Sequence, residues 1–179
     1  MPLRNHTAYQ DFQCFFITTS CFQMQHLLCD DKCFDLILEN FKFYNDKYKA
    51  RLVAYVLMVN HIHFVIYFEG ENRLSDYMRD FKKYSSLQIR KYLSAHYPEK
   101  IKDIVYEHRT QNFKVWEDLF DSVHLYTRKV CETKIEYIHN NPVKAGLNTR
   151  PELYKYSSAS FYFAEKPVKS MLLHYREIF

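Results

Sequence analysis

The stretch Arg51-Leu52-Val53-Ala54-Tyr55-Val56-Leu57-Met58-Val59-Asn60-His61-Ile62-His63-Phe64-Val65-Ile66-Tyr67-Phe68 decides how this chain folds. It is apolar and β-branched almost throughout. Only Val59-Asn60 interrupts it, a break short enough for a tight hairpin between strands at Arg51 to Met58 and His61 to Phe68. Asn60 can supply a positive-φ turn conformation at low cost. The run from Leu52 to Phe68 is long enough to raise the question of a membrane span. Its centre, however, is Asn60-His61-Ile62-His63, and such polar groups are costly in a bilayer. The run therefore reads as two buried strands.

Working outward, Phe12 to Thr19 has the aromatic and β-branched content of a first strand. From about Leu27 to Phe43, apolar residues at Leu27, Phe34, Ile37, Leu38 and Phe41 approach a helical stripe. After the hairpin, Asn72 can cap a helix running through Leu74, Met78, Phe81, Ser85, Tyr92 and Leu93. Phe113 to Trp116 is a short strand candidate. A last helix covers Thr127 to Asn140, with Cys131, Ile135 and Ile138 as its buried stripe, and Pro142 is expected to end it at Asn141. Gly146 suits the left-handed position that closes a helix. The order strand, helix, strand, strand, helix, strand, helix fits an α+β fold. The expected architecture is a ferredoxin-like or RRM-like antiparallel sheet with helices packed on one face, as a single domain over 1–179.

Composition narrows the chemistry by exclusion. Two glycines in 179 residues, Gly70 and Gly146, cannot build a dinucleotide fingerprint, a phosphate-cradling P-loop or a G-x-S-x-G nucleophile elbow. The net charge of +4 permits a polyanionic partner without demanding one. Five cysteines with no C-x-x-C pair argue against a disulfide framework and for a reducing cytoplasm. Residues 1–10 show no apolar core of a secretory signal.

Three constellations can carry chemistry. His61 and His63 are i and i+2 on a strand, so both imidazoles are expected to project from one face while Asn60, Ile62, Phe64 and Ile66 project from the other. Two adjacent neutral imidazoles are good ligands for a divalent metal; the plain alternative is a pair of histidines satisfied by neighbours. Tyr137 and Asn141 are i and i+4, neighbours on a helix face that is not the buried one and that also carries Lys134. Here the plain alternative is a half-buried ring and a helix-ending amide. Arg79, Lys83, Ser86 and Arg90 form a stripe flanked by Lys82 and Lys91, with Tyr84 and Tyr92 interleaved. Such a stripe can neutralise phosphates and stack unpaired bases, or it can simply be a solvated face. Cys29 and Cys33 lack a partner pair at zinc-site spacing and read as structural thiols.

Taken together, these pieces resemble a known family. The segment Val56 to Ile66, with its Asn60-His61-Ile62-His63 core, resembles the strand motif of the single-tyrosine HUH transposases of the insertion-sequence type, specifically the REP-associated group. Tyr137-Ile138-His139-Asn140-Asn141-Pro142-Val143-Lys144-Ala145-Gly146-Leu147 resembles that group's nucleophile helix, and Pro151 to Ser158 its closing segment. Trp116 and Phe120 match an aromatic pair of the family. The likeness spans roughly residues 50–160, in order. Val59 departs from it, standing where the family commonly has proline.

The resemblance implies that His61 and His63 hold a divalent metal, Mg²⁺ or Mn²⁺, that Asn141 completes the protein ligands, and that Tyr137 is the nucleophile. It implies cleavage of single-stranded DNA, including strands able to form hairpins, through a 5′-phosphotyrosine link that leaves a free 3′-OH, and it implies a homodimer. Arg79, Lys82, Lys83, Arg90 and Lys134 would then contact the DNA. Chemically the roles are coherent, because a phenol is a poor nucleophile at neutral pH unless a nearby cation favours its ionised form. Two other classes stay open. One is another HUH nuclease, such as a replication initiator or relaxase; the other is a non-catalytic nucleic-acid-binding domain whose site is vestigial.

Overall fold

In a computed structural model, residues 13–102, 114–163 and 171–179 are described. The chain forms a four-stranded antiparallel sheet of order β2-β3-β1-β4, from β1 (Cys14–Ser20), β2 (Ala50–Leu57), β3 (His61–Phe68) and β4 (Asp121–His124). The main helices are α1 (Asp31–Tyr48), α2 (Leu74–His96) and α4 (Arg128–Lys144), with shorter α3 (Pro98–Lys102) and α5 (Ala159–Phe163). The expected α+β class and open antiparallel sheet are therefore present.

One expectation needs correction. The helices do not share one face of the sheet. Alternate residues Phe15, Ile17, Ile62, Phe64, Ile66 and Phe68 pack against α1 and α2. Their neighbours Cys14, Phe16, Val56 and Val65 pack against Cys131, Ile135 and Ile138 of α4 on the opposite face. Continuous rather than alternating apolarity in β2 and β3 is the sequence mark of a sheet covered on both sides. A register shift between Leu52 and Ala54 lets β2 send Val53 and Ala54 to the α4 side while keeping Leu52 and Tyr55 on the other.

The larger core lies under α1 and α2, where Phe41, Phe64, Phe81 and Tyr77 are wholly buried. Truncating any of these phenylalanines to alanine removes about 3–5 kcal/mol. Helix α1 begins later than its apolar stripe predicts, because the Asp30 carboxylate accepts the Cys33 N–H at 3.0 Å and caps it there. It runs on to Tyr48 because Tyr44 and Tyr48 extend the buried stripe. Asn72 accepts the N–H of Leu74 at 3.0 Å from one residue outside the expected place: the cap position is Arg73, which makes no side-chain capping hydrogen bond.

The hairpin turns where expected, with Met58 N–H donating to the His61 carbonyl at 2.8 Å. Asn60 does not adopt positive φ, however. The turn is held from outside instead: Cys21 and Leu28 N–H groups donate to the Asn60 and Val59 carbonyls at 2.8 and 3.0 Å. Trp116 forms only an isolated bridge with Cys21, and Phe113 lies outside the described residues. The fourth strand is β4, short and mostly exposed, with no apolar pattern to announce it.

Helix α4 also passes through Pro142 rather than stopping at Asn141. Proline removes one N–H donor, but the next turn is complete: Ala145 N–H donates to the Asn141 carbonyl at 3.0 Å. Closure follows at Gly146, φ 71°, where Gly146 and Leu147 N–H groups donate to Val143 and Pro142 carbonyls at 3.0 and 2.9 Å.

Candidate active site

The start of β3 places His61 and His63 on the α4 side of the sheet, their ring centroids 4.7 Å apart. His63 is buried under the stacked ring of Phe16, at 5.6 Å. Its Nδ1 lies 2.8 Å from Thr18 Oγ1, its neighbour across the β1–β3 ladder. His61 Nδ1 lies 2.7 Å from Asn60 Oδ1, so Asn60, which sits in the turn before the strand begins, reaches the histidines instead of facing away as strand alternation predicts. A carbonyl oxygen only accepts, so His61 carries its proton on Nδ1 and keeps the Nε2 lone pair. Burial is the main cause that lowers both imidazole pKa values. His63 falls to about 3, the neighbouring charges of His61 and Lys134 adding to burial, while Asn141 partly opposes the shift at His61. Both rings are neutral at pH 7, as metal ligation requires.

Thr127 starts α4 by accepting the Val130 N–H at 3.3 Å. The helix then carries Lys134, Tyr137, Asn141 and Lys144 along one side at i, i+3, i+7 and i+10. The Tyr137 ring meets His63 edge-on at 5.3 Å and Phe16 at 6.0 Å, while remaining 40% exposed. The Asn141 side chain lies near enough to His61 to oppose the effect of burial on its ring. Lys134 sets its ammonium 4.6 Å from the Phe16 ring centroid and 5.9 Å from that of Tyr137. The His pair, the phenol, the amide and a lysine thus meet within a single chain.

The helix α2 stripe does not join them. It lies across the sheet, on the face away from α4. Arg79 is engaged by Asp76 and Asp80 at 2.7 and 2.9 Å. Lys82 donates to the backbone carbonyls of Glu117, Asp118 and Leu119 at 2.5, 3.0 and 3.2 Å, bracing that loop. Lys83 and Arg90 line a groove of about 490 Å³ with Tyr44, Tyr84 and Leu87. The five cysteines are free thiols, four of them buried, in keeping with a structural role.

Sequence reasoning missed Thr18, Phe16, Asn60 and Lys144. Lys144 was within reach, seven residues after Tyr137 on the same face, once the helix is allowed through Pro142. Thr18 needed the β1–β3 register, which no local pattern carries.

The sequence model of the family described as "Transposase IS200 like" matches residues 13–141. The chain belongs to the IS200-like transposase family. Among solved structures, it is similar to a REP-associated tyrosine transposase bound to a REP hairpin. That likeness has a TM-score of 0.65 and 15% identity, covering 95% of this chain and 94% of that one. A putative transposase from Deinococcus radiodurans aligns with a TM-score of 0.49 and 14% identity, over 77% of this chain and 97% of that one. No curated protein matches. The matched span takes in both histidines, Tyr137 and Asn141, so the IS200-like family segment and the convergent site coincide. No described helix is long and apolar enough to cross a membrane.

Proposed function

We propose that this IS200-like transposase cleaves and rejoins single-stranded DNA with Tyr137 as nucleophile, at a divalent metal held by His61, His63 and Asn141. The observation that carries the reading is the convergence on one side of the sheet: Tyr137 against His63, and Asn141 against His61.

The donor set fits Mn²⁺ or Mg²⁺. Two imidazoles whose Nδ1 atoms meet Thr18 and Asn60 would offer Nε2 to the ion when Nδ1 carries the proton, and Asn141 would add an amide oxygen. Three protein ligands leave open positions, and Mn²⁺ accepts nitrogen more readily than Mg²⁺ does. When bound, the metal supplies Lewis-acid stabilisation of charge on phosphate oxygens.

The chain's own groups do the rest. Tyr137 gives up its phenolic proton, its oxygen forms the bond to phosphorus, and the bond from phosphorus to the 3′ oxygen breaks. That oxygen takes a proton and leaves as a 3′-OH. Reversal by a 3′-OH of the same or another strand rejoins the DNA. Lys134 and Lys144 flank the ring with positive charge suited to the incoming phosphate. Because the structural relative holds a REP hairpin, hairpin-forming single strands are the substrate class to test first. The homodimer implied by the resemblance would bring DNA ends together, since the site itself draws on one chain.

The test is incubation with a hairpin-forming oligonucleotide and Mn²⁺, followed by a denaturing gel. A covalent protein–DNA adduct is expected from the wild type and none from Tyr137→Phe. An adduct that persists in Tyr137→Phe removes the assignment.

A further inference from the structure

The reverse side of α4 carries a contact that this chemistry does not use. Among the helix's buried residues, Cys131, Ile135, Ile138, His139 and Pro142, only His139 has nitrogen or oxygen in its side chain. It is 5% exposed, and its Nε2 lies 2.8 Å from Ser158 Oγ. That oxygen accepts the Tyr55 backbone N–H at 2.9 Å and lies 3.3 Å from the Tyr55 carbonyl. Every group is satisfied if His139 Nε2–H donates to Ser158 and the hydroxyl donates to the Tyr55 carbonyl. The Tyr162 ring, 5.1 Å from that of His139, lies beside the contact.

Ser158 belongs to a clip along the outer edge of β2. Tyr162 and Tyr154 hydroxyls donate to the Val53 and Leu57 carbonyls, both at 2.9 Å, and Ser158 N–H donates to the Tyr55 carbonyl between them, also at 2.9 Å. Three successive outward carbonyls of the strand are thereby taken.

This matters for the site because of what else holds α4. Its apolar seam, Cys131, Ile135 and Ile138 on Phe16, Val56 and Val65, is attractive but non-directional. Such a seam resists a small slide or rotation weakly. A buried hydrogen bond weakens steeply when misaligned, so it fixes both. His139 is two residues from Tyr137 and two from Asn141, whereas His61 and His63 ride on β3, the strand paired with β2.

We infer that His139, acting through Ser158, is a positioning residue that sets the height and rotation of α4 so that Tyr137 and Asn141 meet the histidine pair. The inference rests on the proposed role of Tyr137. It makes the β2 clip, far along the chain from the nucleophile, part of the working apparatus.

The test uses the full chain, Mn²⁺ and a hairpin-forming oligonucleotide, with the rate of adduct formation followed across DNA concentrations. His139→Phe and Ser158→Ala should each lower the maximal rate about 10- to 100-fold while the half-saturating DNA concentration stays within about twofold. His139→Gln, whose amide N–H can replace Nε2–H, should recover the rate to within about threefold of wild type. If His139→Phe fails to fold by thermal melt, His139→Gln and Ser158→Ala carry the comparison. A wild-type rate in His139→Phe, a loss that glutamine does not restore, or a loss matched by weaker DNA saturation would overturn the inference alone. A wild type that forms no adduct overturns the reading of Tyr137, and this inference with it.

Discussion

Lys144 holds its ammonium 5.3 Å from the centroid of the Tyr137 ring, seven residues further along the same helix. Lys134 sits on the preceding turn at 5.9 Å, so the phenol lies between two cations. Each contact adds only about 0.5–1 kcal/mol to stability at an exposed ring. Their larger effect is on a polyanion. Replacing both lysines with alanine should weaken binding of single-stranded DNA across all sequences and reduce the slope of log affinity against log salt by about 1.4. Fluorescence anisotropy at several salt concentrations measures this, and an unchanged slope would remove both lysines from the DNA path.

Thr18 supports a second prediction. Its hydroxyl is the partner of His63 Nδ1, so it orients the ring that offers Nε2 to a metal. Thr18→Val keeps the shape and removes the hydrogen bond, and should lower Mn²⁺ affinity about 10- to 100-fold. Thr18→Ser should stay near wild type. The free-Mn²⁺ signal in electron paramagnetic resonance reports binding without any need for activity. Equal affinity in Thr18→Val would show that the ring is oriented by packing against Phe16.

Thr18 also marks the limit of what could be read beforehand. The hairpin, the two imidazoles on one face, and Tyr137 with Asn141 on one face of a helix follow from periods of two and 3.6, which are local. Which side of the sheet receives α4 is not local. The stripe Cys131, Ile135 and Ile138 shows that the helix has an apolar side, yet either sheet face could accept it. The pairing of Thr18 with His63 spans 45 residues and depends on strand register. The Arg79 to Arg90 stripe had the right spacing and charge for DNA, but spacing cannot show that Asp76 and Asp80 already hold Arg79 and that three backbone carbonyls hold the flanking Lys82.

Lys82 makes that distinction measurable. Burial lowers its pKa, and its ammonium donates to three carbonyls of the loop leading to β4. Lys82→Ala should therefore act on folding, because it removes the hydrogen bonds that brace a partly exposed loop, at a cost of about 1 kcal/mol. The salt slope of DNA binding should not move. A lower urea midpoint with unchanged slope fits a brace. A stable variant with a reduced slope would return Lys82 to the DNA surface.

The buried histidines set the acid limit of the fold. His139 is lowered by burial to about 4 and His63 to about 3, from an ordinary 6.5. Above pH 6.5 both are neutral, folded or unfolded, and stability does not depend on them. As pH falls below 6.5 the unfolded chain takes up protons that the folded chain refuses, so stability is lost progressively until the folded values are reached. By pH 4.5 the loss is about 2–3 kcal/mol for each ring. Urea unfolding at pH 7.5, 5.5 and 4.5 should show this decline in the wild type and a shallower one in His139→Gln, which has no proton to gain. Parallel declines in the two proteins would mean that His139 protonates in place, and that its bond to Ser158 does not depend on a neutral ring.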